Sequence, residues 1–497
     1  MLESVKIQKG VRIFLLIFVF VTVMSYCENS ELSQDTVKGD HSMLFYEDFD
    51  LKVLENIPFK NDVSGYEGLD IDLDARCEII NLVFEDCFHN KFNARIKTPD
   101  DRGSLKIPWS QFKPHGTTQF FAPGKAPASL EYLTVNNVKE STSDTIQIFS
   151  IAPYGSKGLA GPSVAVDAAF DFYSKKSWNE WADDIRNLGF TSIDLILVKK
   201  FTIDEQKHMV KAFHDKGIAV TLRLYPTTDF EAWEEHPDWR QKSLDGTSRH
   251  DWRVYLCPNS EDFTGYMQNY ITEQVSAVNY DGIQFAEPWL EVWGGPYPDN
   301  PTHGKYTCVC DNCRRKFQEK HEIDPAKLFD KDSELYFEKE KNSEMYAKWQ
   351  DFRVDSVLRF CTDLYDAARK ARPGIKIIHM HLSDCSVEPE RSREYQALDL
   401  DEGIRRVKPD IMIIEDSWQE WTQEGLEPDF VKEYGKAYVE RIRKIAPDTV
   451  IKAHADIGSL PEMRRSGTWM RKFSAFARES GFDSTVYYEF SLGNYDE

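Results

Sequence analysis

Three cysteines crowd into six positions, Cys308-Val309-Cys310-Asp311-Asn312-Cys313, downstream of an apolar run that ends in an acid, Gly282-Ile283-Gln284-Phe285-Ala286-Glu287. A Cys-x-Cys-x-x-Cys run offers three soft ligands to one tetrahedral metal, and Cys257, in Leu256-Cys257-Pro258-Asn259, is the natural fourth. Four thiolates leave no open position, so a zinc ion held there is structural; buried thiols or disulfides are the alternative. No organic cofactor is expected. Glu287 is a carboxyl delivered by a buried strand, where partial burial raises its pKa toward that of a general acid. Cleaving a glycosidic bond requires a second carboxyl group to attack the anomeric carbon or to activate water. Glu415, Asp416, Asp456 and Glu489 each end or follow a later apolar run and are the candidates.

These residues need a scaffold, and the period of the chain supplies one. From Ser163 onward, short β-branched runs alternate with amphipathic segments. Strands are expected at Val164–Asp167, Ser192–Val198, Ile218–Leu224, Gly282–Ala286, Ile375–Met380, Ile411–Ile414, Val450–Ala453 and Ser484–Tyr488. Eight strand–helix units predict a (β/α)8 barrel over residues 163–497, because parallel neighbours need helical crossovers and eight strands close. The active site of such a barrel lies at the strand C-termini. Asp167, Lys199, Arg223, His379, His381 and His454 stand there as candidate substrate-binding residues. Trp289, Trp293, Trp418 and Trp421 follow the two most acidic strand ends, either as sugar-stacking faces or as loop packing. Only a short tail follows the last strand, so a closing helix is missing from the pattern.

Residues 43–154 read differently. Alternating runs such as Leu69-Asp70-Ile71-Asp72-Leu73 and Ile80-Asn81-Leu82-Val83-Phe84, separated by turn residues, predict an all-β sandwich. Gly155 to Pro162 is a linker. The sandwich resembles jelly-roll carbohydrate-binding modules, notably at Ile107-Pro108-Trp109-Ser110-Gln111-Phe112, and serves either to bind sugar or to pack. Residues 1–27 read as a secretory leader: Lys6, Lys9 and Arg12 precede an apolar run too short to span a bilayer. An exported protein is therefore expected, with Cys27 a candidate lipid-attachment site for a membrane anchor. Cys77 and Cys87 are a candidate disulfide within the sandwich, and Cys361 and Cys385 candidate buried thiols. A net charge of -22 argues against a nucleic-acid partner. The sequence carries no signal for oligomeric state.

The run Cys257-Pro258-Asn259-Ser260, the strand-four Glu287, the Cys308-x-Cys310-x-x-Cys313-x-x-x-Phe317 cluster and Trp349-Gln350-Asp351-Phe352-Arg353 together resemble the glycoside hydrolase family 42 β-galactosidases. The resemblance implies a carbohydrate substrate, zinc on the four cysteines and a retaining mechanism with Glu287 as acid/base. The chain departs from that pattern twice: Ala286 stands where the family has Asn, and Lys452-Ala453-His454-Ala455-Asp456 where it has a nucleophilic Glu. Three further readings stay open. One pairs Glu287 as nucleophile with a strand-six acid, as in α-glycosidases; one is a uronate lyase; one is a glycan-binding barrel without catalysis.

Overall fold

The computed structural model describes residues 49–51, 54–99, 101–115, 129–137, 146–197, 201–250, 253–291, 304–339, 342–383, 389–460 and 463–495. The expected leader, with Cys27, lies outside them, as does Cys385. Among the described residues no helix is long and apolar enough to cross a membrane.

Nine strands come first: β1 (Phe49–Leu51), β2 (Leu54–Asp62), β3 (Gly68–Ala75), β4 (Ile79–Glu85), β5 (Lys91–Lys97), β6 (Gly103–Pro108), β7 (Lys113–His115), β8 (Ser129–Asn137) and β9 (Ile146–Tyr154). They form two antiparallel sheets, ordered β1-β9-β3-β6 and β2-β8-β4-β5-β7. Period-two alternation sends Leu69, Ile71 and Leu73 from one sheet and Ile80, Leu82 and Phe84 from the other into a shared core, which makes this a sandwich. Trp109 is buried there, and its indole N–H donates to the Tyr66 carbonyl at 3.0 Å. Cys77 and Cys87 are not joined in a disulfide, contrary to the candidate pairing. They flank the two ends of β4, and an extended strand of that length holds them far beyond disulfide reach.

The second unit is a closed barrel of eight parallel strands: β10 (Ser163–Asp167), β11 (Ser192–Ile196), β12 (Ala219–Leu224), β13 (Gly282–Phe285), β14 (Lys376–Leu382), β15 (Ile411–Glu415), β16 (Val450–Asp456) and β17 (Ser484–Tyr488). Its helices are α1 (Trp178–Asn187), α2 (Ile203–Asp215), α3 (Phe230–Glu235), α4 (Glu261–Ala277), α5 (Asp311–His321), α6 (Ser343–Ala371), α7 (Pro389–Gln396), α8 (Leu400–Val407), α9 (Trp418–Trp421), α10 (Val431–Ile445) and α11 (Gly467–Glu479). Local signals set their starts: Ser177 and Thr202 form capping boxes with Glu180 and Glu205, and Ser260 and Ser466 cap α4 and α11. Outward residues such as Val164, Ile193, Leu222, Ile283, Met412 and Ile451 bury against the helices in one large core. Ala286, Ile378, Met380, Ile411, Ile413 and Val486 form a smaller one inside the barrel.

The sandwich packs on α11, the helix that flanks the place an eighth crossover helix would take. Arg471 Nη2 donates to Glu131 Oε2 at 3.2 Å, and the Phe88 and Phe476 rings meet edge to face at 5.3 Å. At the joint itself, a Cβ on Gly65 would come within 2.5 Å of Pro162, so only glycine permits this approach.

Candidate active site

The strand pairing decides which side chains enter the barrel. Following the registers around β10 to β17, with the stagger usual in such barrels, sorts the inward residues into layers of four from alternate strands. Ser163, Thr221, Ile378 and Lys452 share one layer, and Asp194, Gln284, Ile413 and Val486 the next. Above them come Ala165, Arg223, Met380 and His454, and then Ile196, Ala286, Glu415 and Tyr488 at the mouth. The lumen is therefore polar along one side and apolar along the other.

Glu287 follows Ala286 at the C-terminal end of β13. Its φ of 47° is left-handed, which costs a non-glycine residue on the order of 1 kcal/mol and turns the chain sharply at this point. Glu287 is partly buried, as the sequence predicts, and it is paired with an arginine. Glu287 Oε2 accepts from Arg253 Nη1, and its side chain keeps 22% of its exposure while that of Arg253 keeps 3%. Arg253 lies over the rings of Tyr225 and Tyr255, at 4.8 and 4.6 Å. Arginine 253 carried no sequence signal; it precedes the strand in a loop whose path only the fold reveals.

Glu415, at the end of β15, is the carboxyl with the opposite character. Its Oε2 is buried with no hydrogen-bond partner among the described residues. Burial pushes its pKa well above the carboxylate range, the charge of Glu287 pushes it further, and Arg223 opposes both. Two carboxyl groups from strands four and six thus reach one mouth, one held by an arginine and one without a partner.

Asp416 points away from that pair. Its Oδ1 lies 2.7 Å from His454 Nδ1 and its Oδ2 accepts from the Asp456 amide at 3.0 Å. Burial lifts its pKa to about 7. His454 is buried too, and burial aided by Arg223 lowers its pKa to about 3, so the ring is neutral, with Nδ1 facing Asp416. Asp456 is consumed by its own loop: Oδ1 accepts from the Gly458 and Ser459 amides at 2.9 and 2.8 Å, and Oδ2 from the Ser459 hydroxyl. Glu489 is fully buried and joins the last strand to the first. It accepts from the Asp167 amide at 3.0 Å, the Tyr173 hydroxyl, and the Ser491 amide at 2.7 Å. Neither Asp456 nor Glu489 has a carboxylate free to act on a substrate, which corrects their place among the candidates.

The expected rim splits in the same way. Asp167 and Arg223 face the lumen. His379 and His381 do not, because Met380 between them points inward. They sit behind the barrel wall, where His379 Nδ1 is 3.4 Å from the Tyr365 hydroxyl on α6 and a Cβ on Gly403 of α8 would meet His381 at 2.8 Å. Trp289 is buried in the core between strands and helices, packing its loop. Trp421 is half-buried. Lys199, Trp293 and the side chain of Trp418 lie outside the described residues.

Cys257, Cys308, Cys310 and Cys313 come together, with their Sγ atoms all within 4.8 Å of one another and all four side chains buried. Cys257 Sγ is 3.5 Å from Cys313 Sγ and 3.4 Å from Cys310 Sγ. A tetrahedron of Zn–S bonds near 2.3 Å has edges of about 3.8 Å, so this donor set fits zinc. The Asn259 amide donates to Cys257 Sγ at 3.3 Å and its side chain to Cys313 Sγ at 3.2 Å. Asn259 also bonds Ser356 and Arg359 of α6, and Arg353 of the same helix donates to the Thr307 carbonyl beside Cys308. The cluster thus ties the loop after β13 to the barrel wall, away from the lumen.

The strands define the fold class: a closed (β/α)8 barrel of eight parallel strands, with an antiparallel sandwich before it. No family model matches the chain. One curated relative is the β-galactosidase BgaH of Haloferax lucentense, 27% identical over 171 residues, a match covering 30% of this chain and 24% of that protein. The chain therefore matches about a quarter of the relative's length. Among solved structures, a β-galactosidase from Halorubrum lacusprofundi superposes with a TM-score of 0.48 at 16% identity, over 66% of this chain and 52% of the other. The glycoside hydrolase domain of PgaB (BpsB) from Bordetella bronchiseptica gives 0.48 at 11% identity, over 66% and 93%.

Proposed function

We propose that this chain is a retaining glycoside hydrolase acting on an oligo- or polysaccharide, with Glu415 as acid/base and Glu287 as nucleophile. The observation that carries the reading is the contrast at the mouth: a half-buried Glu415, whose buried Oε2 has no hydrogen-bond partner among the described residues, and an arginine-held Glu287. A carboxyl kept protonated by burial delivers a proton, and a carboxylate held by a guanidinium attacks. Both carboxyl groups reach the same mouth, and the charge of Glu287 helps keep the Glu415 proton in place.

In the first step Glu415 protonates the glycosidic oxygen while a Glu287 oxygen attacks the anomeric carbon. The C–O bond to the leaving sugar breaks, the alcohol departs with the proton, and a glycosyl ester forms on Glu287. In the second step Glu415, now a carboxylate, takes a proton from water as the water oxygen attacks the same carbon, and Glu287 leaves. The β-galactosidase name of the relative supports sugar as substrate. Specificity for β-galactosides is not carried over, because Ala286 presents only a methyl group where the family pattern has an amide.

The test is a glycan panel followed by NMR of the released anomer, together with Glu287→Ala assayed with and without azide. Retention, and a glycosyl azide of inverted configuration from the variant, support the roles given. An inverted product, or a Glu287→Ala variant as active as the parent, overturns them. Binding without turnover of any glycan supports instead the non-catalytic barrel, and an unsaturated product absorbing in the ultraviolet supports the lyase.

Zinc on the four cysteines is part of the proposal, as a structural ion that fixes the loop after β13. Export, directed by residues 1–27, completes it and suits an enzyme that meets polymeric glycans outside the cell.

A further inference from the structure

The layers of the barrel stack charged residues along its axis. Lys452 lies lowest, Asp194 one layer up, Arg223 above that, and Glu415 at the mouth, so the signs alternate from floor to site. The lower three are deep in the barrel, Lys452 retaining 3% of its exposure, Asp194 2% and Arg223 2%, and Glu415 is half-buried at the mouth. Lys452 reaches Ser163 at 3.3 Å and interacts with Asp194. Arg223 has the Tyr225 and Tyr488 rings beside it, at 5.7 and 5.4 Å, which hold the guanidinium in the middle of the lumen. Its Nε and Nη1 have no hydrogen-bond partner among the described residues, and neither has Asp194 Oδ2. In its own layer the neighbours are short or neutral: Ala165, Met380 and His454. The guanidinium is thus not committed to one carboxylate, and its field is divided between Asp194 below and Glu415 above.

We propose that Arg223 is the positioning residue of the acid, supplying the positive charge that receives Glu415 once its proton has left, while Asp194 sets how much of that charge is available. The inference rests on Glu415 being the acid/base of the proposed reaction. It adds a prediction that a structural role for the column does not make. Removing Asp194 and removing Arg223 must move the proton affinity of Glu415 in opposite directions.

Other charges face Glu415: Glu287 and Arg253 from the strand-four side, and Asp416 next to it. Tyr225 faces it from β12 and Tyr488 from its own layer. None lies below Glu415 on the axis, so Asp194→Asn changes only the column, and Arg223→Met changes the column and the guanidinium's contacts with the Tyr225 and Tyr488 rings.

The experiment is infrared titration of the full chain without substrate, following the protonated carboxyl band that disappears in Glu415→Gln. Asp194→Asn frees Arg223 for Glu415, so the midpoint falls by about one pH unit; Arg223→Met raises it by a similar amount. Arg223→Lys, which keeps the charge on a shorter stem, lies between Arg223→Met and the parent. Thermal melting confirms that each variant is folded, and if Arg223→Met is not, Arg223→Lys against Asp194→Asn carries the comparison. Shifts of the same sign, no shift in either variant, or no band lost in Glu415→Gln overturn the proposal. The readout needs no turnover. A chain that cleaves no glycan but shows opposite shifts would sink the hydrolase reading and leave the charge column standing.

Discussion

His454 Nδ1 lies 2.7 Å from Asp416 Oδ1, with both side chains buried. The pair engages Asp416, and its neighbour Glu415 is the strand-six carboxyl of the proposed reaction. Glu415→Gln is therefore expected to lower kcat by about 100-fold or more on unactivated glycosides, the usual worth of a general acid. Asp416→Asn, which still accepts from His454, loses about tenfold at most. Steady-state kinetics of the two variants on one substrate decide between them, and the reverse order would refute the assignment.

Asp416 and Glu489 are both raised to about 7 by burial. An acid whose pKa rises on folding binds more protons folded than unfolded at pH values between about 4 and 7. The stability it contributes is present in full below its unfolded pKa and is lost as pH rises through about 7. Buried His379, His381 and His454, whose pKa values are lowered, act in the opposite sense over this range, so the readout is a difference: Glu489→Gln, an amide mimic of the protonated acid, should gain melting temperature relative to the parent from pH 5 to pH 8. A parent-to-variant difference that does not change with pH would contradict this.

Four thiols at tetrahedral spacing should bring one zinc per chain through purification, measured by elemental analysis. Cys310→Ser, or a strong chelator, should lower the melting temperature by on the order of 10 °C. A folded parent of unchanged stability with no bound metal would refute the zinc assignment.

Arg471 on α11 and Glu131 on β8 keep only 6% and 13% of their side-chain exposure. Deleting one partner of a buried pair strands the other charge, so Arg471→Ala should cost about 3–5 kcal/mol. Denaturant unfolding followed separately by sandwich and barrel tryptophans should then show two transitions where the parent shows one. Coincident transitions with an unchanged midpoint would show that the joint depends on other contacts.

The sequence alone determined the parts that depend on period and spacing. Alternation of two against 3.6 residues separates sandwich from barrel, eight apolar runs count the barrel strands, and the short spacing of Cys308, Cys310 and Cys313 marks one cluster. The same period-two reading, applied to Ser192-Ile193-Asp194 and Lys452-Ala453-His454, was the available signal for the polar lumen. Direction and company were left to the tertiary structure. Register sends Met380 inward and so turns His379 and His381 to the helices. Loop paths bring Arg253 to Glu287, Ser459 to Asp456 and Tyr173 to Glu489, deciding which carboxylates are already engaged. A strand end places an acid at the barrel mouth, but its protonation depends on desolvation and on charges brought close from distant parts of the chain, which only the closed barrel assembles.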